Sequence, residues 1–367
     1  MMGKLSFKTL VCAVFAWVAL ACCSYAAEDA SAKKAEPLNM QSIIFEHIGD
    51  SYEWHITKIG DTELVIPLPV IVYSKLSGWH VMMSSDFVLD PATGCKVADG
   101  GKLMIMSGGD YDGKIVEKCA DGSVRRPMID ISITKNVAAL IINCLILVLV
   151  ILGVSRWYRG RKASDPAPNG FVGMMEMFIM MVEEDVIKGS IGAERYKRYS
   201  PYLLTVFFFI FVNNLMGLVP IFPGGANVTG NIAITFVLAA ISFIVINVTG
   251  TRHYWKDIFW PEVPLLLKCP VPLMPLIEFV GIFTKPFSLM IRLFANMLAG
   301  HAVILSMVCI IFITAQIGTG LCAGMTVVSV VFSVFMNMLE LLVAFIQAYV
   351  FTMLSAVFIG LSNETEE

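Results

Sequence analysis

The sequence predicts an all-α polytopic membrane protein of about five crossings behind a small β-rich exported N-terminal domain. Its last two helices are expected to be long, tilted and paired as a hairpin. Three observations carry that expectation. The chain is 57% hydrophobic and 15% charged, against roughly a quarter charged for soluble domains. Its apolar residues fall into long runs broken by short polar connections. Most of its acids sit apart, between Glu28 and Lys135. A net charge of −3 leaves no basic footprint for nucleic acid.

The first residues, MMGKLSFKTLVCAVFAWVALACCSYAAEDASA, read as a signal peptide over 1–26. Lys4 and Lys8 give the positive start, Leu10 to Cys23 an apolar run short for a span, and Ser24 and Ala26 small residues for cleavage. A retained N-terminal anchor is the alternative, and a lipoprotein signal through Cys22 fits less well. Residues 27–135 then form the exported, periplasmic extension. Short β-prone runs such as TELVIPLPVIVYS and GGKLMIM are separated by turns such as Gly60-Asp61. His47, His55 and His80 are scattered without ligand spacing, so no metal site is expected.

Nine cysteines do not cluster into a disulfide framework. Cys12, Cys22 and Cys23 leave with the signal. Cys144, Cys269, Cys309 and Cys322 lie in or near apolar segments and read as packing residues. Cys95 and Cys119 share the exported region, and they are expected to pair.

The membrane domain is 136–367. A first span runs from Val137 to about Val154, near the ~20 residues a bilayer needs. RWYRGRK, 156–162, follows and marks the cytoplasmic side. The stretch from Asn169 to Pro201 is dense in apolar residues but carries Glu183, Glu184, Asp185 and Lys188, which suits a helix at the cytoplasmic interface. A re-entrant hairpin is the alternative. A second span covers about Tyr202 to Phe222, and a third about Ile232 to Val248. The cation-free loop PGGANVTGN joins them on the outside. The Pro-rich WPEVPLLLKCPVPLMP cannot be one regular helix. Leu276 to Ile317 and Leu321 to Leu361 are each about 40 residues, or ~60 Å as helix at 1.5 Å per residue. No internal turn divides them, so each reads as one long helix, joined through Gly318-Thr319-Gly320. This places the tail SNETEE in the cytoplasm.

Several residues in these long runs are foreign to lipid. An ionisable group inside a span costs at least ~2.5 kcal/mol and is a functional hypothesis by default. Glu278, Lys285 and Arg292 recur every seven residues, as do Glu340 and Gln347, so each helix carries a polar stripe. Lys285 lies near the helix start, where snorkelling also explains it. Asn296 and Gln347, and the pair Asn213-Asn214 in the second span, also suit interhelical glue, worth ~0.6 kcal/mol on average. Arg292 is deep, always protonated, and has no acid at i+3 or i+4. It must face a cavity, a partner subunit or the other long helix. His301 and Glu340 both titrate and can pair across the helices.

LIEFVGIFTKPFSLMIRLFANMLAGH and FMNMLELLVAFIQAYVFTML resemble the two hallmark segments of subunit a of the F-type ATP synthase membrane sector, the ATPase subunit 6 family. The family pattern appears as Glu278, Lys285-Pro286, Arg292-Leu293-Phe294, Asn296, Gly300 and, in the last helix, Gln347. Weaker similarity reaches NNLMGLVP and NVTGN. The resemblance covers about 137–361; the exported extension lies outside the common core. Many bacterial members carry Glu at the position of His301 and His at that of Glu340. The two are exchanged here, which preserves one acid and one imidazole.

The resemblance implies a multi-pass subunit of the bacterial inner membrane with its N-terminal domain outside. It has no catalytic centre and no cofactor of its own. The implied partners are the c-ring proteolipids, the peripheral-stalk subunit b and, indirectly, the catalytic head. Two aqueous half-channels reach the ring from opposite faces. Arg292 keeps the arriving ring carboxyl ionised and blocks direct passage between the half-channels. His301 and Glu340 line the outside path, and Asn296 and Gln347 orient water or the guanidinium. Glu278, Lys285, Ser288, Asn213 and Asn214 are supporting positions. The carried ion is a proton, with sodium the second candidate. A stand-alone channel or secondary transporter is the rival class. It favours internal repeats and broken helices about a midplane site, and no repeat is visible.

Overall fold

The computed structural model describes residues 49–363 apart from 60–61, 76, 91–93, 107, 109–110, 119–122, 163–164, 220–221 and 260–272. The expected signal peptide, residues 27–48, Cys119, Cys269 and the last four residues lie outside that set, and so does the Cys95–Cys119 pairing. Cys95 itself is buried and forms no disulfide among the described residues.

Residues 53–130 form the β-rich domain. β1 (Glu53–Ile59) and β2 (Thr62–Pro67) make an antiparallel hairpin. β3 (Pro69–Ser74) pairs β4 (Gly78–Met83), and β10 (Ile129–Asp130) joins the free edge of β3. β5 (Val88–Leu89), β6 (Lys96–Ala98), β7 (Leu103–Ile105), β8 (Ile115–Lys118) and β9 (Val124–Arg125) follow one another as an antiparallel meander. Strand periodicity sends alternate residues inward. Val70 and Val72 on β3 are thus buried, with Tyr52, Phe87, Ala98, Leu103 and Ile115 completing a small core. Gly78 opens β4 at φ 82°, a conformation that favours glycine.

The helical part follows directly. The main helices are α1 (Lys135–Arg159), α2 (Phe171–Met180), α3 (Gly189–Ile191), α4 (Tyr196–Leu218), α5 (Ile232–Thr249), α6 (Arg252–Phe259), α7 (Leu273–Ile317) and α8 (Thr319–Ser362). Five of them, α1, α4, α5, α7 and α8, are long and apolar enough to cross a membrane. Between α2 and α3 the chain continues as a π-helix over Met181–Lys188. Val182, Val186 and Ile187 are buried on it, while Glu184, Asp185 and Lys188 are exposed. Phe171–Ile191 thus runs without a turn, which does not fit a re-entrant hairpin within it, and a turn over 193–195 separates it from α4.

The second span differs at both ends from its expected bounds. α4 begins at Tyr196 and carries Pro201 in its second turn, where one backbone donor is lost. It ends at Leu218, because Pro220 forces the preceding Val219 into an extended conformation, φ −81°, ψ 113°.

α7 and α8 are single helices of 45 and 44 residues, broken at Gly318 and packed antiparallel. Followed back from His301 to Lys285, α7 meets α8 first at Glu340 and then at Phe358. Leu289 and Leu293 of α7, Leu203, Phe207 and Ile210 of α4, Phe351 and Ile359 of α8, and the π-segment share one core. The far end of α8 is tied down. Arg195 donates to the Asn363 carbonyl, Tyr199 Oη donates to Asn363 Oδ1 at 3.2 Å, and Thr251 N donates to the Ser362 carbonyl at 2.9 Å.

The β-rich domain is fastened to the bundle at two places. Asp50 caps α1. Its Oδ1 accepts from Asn136 N at 3.1 Å and its Oδ2 from Thr134 Oγ1 at 2.8 Å, so a carboxylate sits on the positive end of that helix. Trp54 and Leu68 pack into a cluster with Ala139 of α1 and Ala226 and Val228 of the α4–α5 loop. Trp54 also meets Phe222 edge-on, ring centroids 5.0 Å apart.

Candidate functional site

Burial separates the polar residues of the two long helices into three groups. Glu340 is 5% exposed and Gln347 6%. With Ala344, Ala348 and Phe351 they form the inward stripe of α8. Ser288, Arg292 and Asn296 point the other way and are exposed on α7. Glu278 and Lys285 lie nearer the start of α7.

The first group is built around Glu340. His301 Nδ1 stands 3.8 Å from Glu340 Oε1, beyond direct hydrogen-bond range but within reach of one bridging water. Neither Glu340 oxygen, nor His301 Nε2, has a hydrogen-bond partner among the described residues. Gly300 makes the approach possible. A Cβ there would come within 2.6 Å of Glu340 Oε1 and 2.9 Å of its Cδ. Gly217 of α4 lies beside the imidazole, where a Cβ would sit 3.6 Å from His301 Nε2 in ordinary van der Waals contact. The sequence pairs His301 with Glu340, and the structure brings them together.

Asn213 and Asn214 are fully enclosed beside this group. Asn214 Oδ1 accepts from Thr229 Oγ1 at 2.7 Å, and Asn214 Nδ2 donates weakly to the Ala344 carbonyl of α8 at 3.4 Å. Asn213 Oδ1 accepts from Asn143 Nδ2 of α1 at 3.0 Å. Buried Asn136 and Asn143 went unnoticed in the sequence. Their signal was present, since they are seven apart and flank buried Ala139 on one face of the first span.

The second group is the exposed face. Arg292 makes no ion pair or hydrogen bond among the described residues. The neighbouring positions Ala295 and Ala299 are small and exposed like Ser288 and Asn296, so a second helix can approach closely here. Among the described residues its side chain is exposed on α7 and is not enclosed between helices of this chain. Antiparallel pairing nonetheless puts it level with Gln347. Glu340 lies against Gly300, and seven residues on from each are Gln347 and Leu293, the latter beside Arg292.

The third group occupies the end of the bundle opposite the β-rich domain. Lys285 Nζ lies 5.2 Å from the centroid of Phe358. It lines a small cleft with Asn247, Tyr254, Pro286 and Leu361. Asn247 donates to the Phe243 carbonyl at 2.7 Å, leaving its buried Oδ1 without a hydrogen-bond partner among the described residues. Burial and, second, the Glu278 charge push the Tyr254 phenol upward.

Residues 140–360 match the family described as ATP synthase A chain, and residues 43–134 match one described as a domain of unknown function, DUF8433. The chain is 42% identical over 245 residues to ATP synthase subunit a of Chloroherpeton thalassium, covering 65% of this chain and 68% of that one. It is 43% identical to ATP synthase subunit a of Chlorobium phaeobacteroides, at 65% and 67% coverage. With ATP synthase subunit a 2 of Prosthecochloris aestuarii the identity is 43%, at 67% and 74% coverage.

Proposed function

The chain belongs to the ATP synthase A chain family, and from that premise we propose that it is the proton-translocating stator subunit of an F-type ATP synthase membrane sector. One observation supports this reading above the others. An exposed, unpaired arginine on a small-residue helix face lies between two polar clusters at opposite ends of the bundle. His301, Glu340 and the asparagines face the β-rich end; Lys285, Glu278, Tyr254 and Asn247 face the other.

The chemistry follows from that arrangement. A ring of partner helices, each with a carboxyl, packs on the Arg292 face. A proton arriving through the His301–Glu340 end neutralises one carboxylate, which then moves into lipid. The next carboxyl loses its proton toward the Lys285 end, because a nearby guanidinium favours the ionised form. Arg292 never gives up its own proton, so the two ends do not communicate directly. Asn296 and Gln347, level with it, hold water or the guanidinium in place. The driving force is ~2.3 kcal/mol per charge per 100 mV. The carried ion is a proton because His301 and Glu340 offer titratable sites. The orientation follows from the cations 156–162 after α1. The β-rich domain lies outside the bacterial inner membrane and the end of α8 faces the cytoplasm. Nucleotide chemistry belongs to the catalytic head, reached through the ring and the peripheral-stalk subunit b.

Arg292→Ala in the assembled complex tests the reading. ATP-driven pumping is expected to vanish while passive proton conduction through the membrane sector persists. Coupled synthesis surviving the substitution refutes the role. Transport by the purified chain alone in liposomes would make it a stand-alone channel or transporter.

A further inference from the structure

An apolar groove of about 390 Å³ runs between α5 and α7, walled by Phe236, Ala239 and Ala240 on one side and Phe283, Phe287 and Met290 on the other. The small alanines set its depth, and Phe236, Phe283 and Phe287 are each more than half exposed along it. Phe287 and Phe283 precede Arg292 by five and nine residues, so at ~100° per residue the groove opens away from the Arg292 face. Phe243 and Pro286 line this groove and also the polar cleft of Lys285, Asn247 and Tyr254, so the two are continuous. From Phe236 to Asn247 is ~16 Å along α5 at 1.5 Å per residue, about half of the ~30 Å hydrocarbon core. Groove and cleft together therefore have the depth of one leaflet, apolar inside and polar at the end opposite the β-rich domain.

The polar end lacks partners of a definite kind. Asn247 Oδ1 is buried with no hydrogen-bond partner among the described residues and needs a donor. Pro286 lacks the N–H that would meet the Ile282 carbonyl in a regular helix, and Ile282 lines the same cleft. Lys285, with its Nζ 5.2 Å from the Phe358 ring centroid, and the Tyr254 phenol bring donors. On α6 and the first turns of α7, Arg252, Lys256 and Lys285 outnumber Asp257 and Glu278.

We propose that this groove holds one anionic glycerophospholipid of the leaflet on that side, with an acyl chain between α5 and α7 and its headgroup in the cleft. The phosphate accepts from Lys285 and Tyr254. A headgroup hydroxyl, as in phosphatidylglycerol, donates to Asn247 Oδ1. A zwitterionic lipid also supplies donors but brings no net charge to the cationic end. The bound chain fills the gap between α5 and α7. The inference needs only that the chain spans a membrane, and it stands or falls independently of proton movement at Arg292.

The test places the photoreactive residue benzoylphenylalanine at Phe287, or at Leu145 on the exposed face of α1 as the bulk-lipid reference. The assembled complex is reconstituted in vesicles of phosphatidylethanolamine and phosphatidylglycerol, and mass spectrometry identifies the adducts after illumination. Phosphatidylglycerol is expected to be enriched about threefold or more at Phe287 over Leu145. Asn247→Leu and Lys285→Gln should each bring that ratio down toward the reference. Equal ratios at the two positions in the parent overturn the proposal, and so does an adduct at Phe287 that is mainly another protein chain. Enrichment retained in both headgroup variants puts the headgroup elsewhere and overturns it too. Should those variants not assemble, Ala240→Trp fills the groove and is expected to lower the lipid adducts at Phe287 several-fold. An unchanged yield there shows the lipid lying outside the groove and refutes the site.

Discussion

Glu340 is a carboxyl enclosed among apolar helices, with one imidazole 3.8 Å away and no hydrogen bond among the described residues. A buried charge without partners is strongly unfavourable, so its surroundings must supply water or a proton. The backbone of Gly300 sets how close that carboxyl comes to His301. Gly300→Ala is therefore expected to push the carboxyl aside and slow passive proton conduction several-fold, with normal amounts of assembled complex; unchanged conduction would show that the spacing is unimportant. Exchanging His301 and Glu340 should be milder than losing either, measured by ATP-driven pumping. A double exchange worse than both single losses would sink the pair model. This constellation was readable in the sequence, because an imidazole and an acid in two long apolar helices have few alternatives to meeting. The outward aim of Arg292 was not. The sevenfold spacing of Glu278, Lys285 and Arg292 identifies a shared face but not which side of α7 the other helices leave uncovered.

Among the elements, the long hairpin was predictable from run length alone, since no turn residues interrupt either apolar stretch before Gly318. The π-segment was not, because its apolar and charged residues satisfy an α-helical pattern equally well. Its role is to carry Val182, Val186 and Ile187 onto α4 and α8. α8 also passes very close to the short α3 behind it. A Cβ on Gly360 would run into the Ser190 carbonyl, and backbone cannot swing away as a side-chain tip does. Gly360→Leu is expected to destabilise the bundle by about 1–3 kcal/mol, seen as a lower melting temperature of the detergent-solubilised complex. The cap on α1 is a smaller effect. Asp50→Ala should cost about 1 kcal/mol, visible as faster proteolysis of the β-rich domain; equal proteolysis rates would mean the apolar contacts of Trp54 and Leu68 suffice.

At the scale of the whole molecule, two bodies of different composition share one seam. The β-rich body depends partly on Tyr52, whose hydroxyl donates to Asp130 Oδ2 at 2.8 Å. Burial first, and the Asp130 hydrogen bond second, raise its phenol above the ordinary value. The stability this contributes is complete below the unfolded pKa of about 10 and is lost as pH rises beyond it. Circular dichroism should show β-structure weakening above that pH, and Tyr52→Phe should flatten the dependence. A dependence unaltered in Tyr52→Phe assigns it to another group. The tie at the far end of α8 has a mechanical meaning. Under the proposed function, a ring turning against the Arg292 face drags the hairpin sideways with every step. Two helices this long would bend like a cantilever if held only by side-chain packing. Arg195 and Tyr199 at the root of α4, and Thr251 beyond α5, clamp the final residues of the hairpin. Torque is thereby handed to the rest of the bundle instead of being absorbed as flexing.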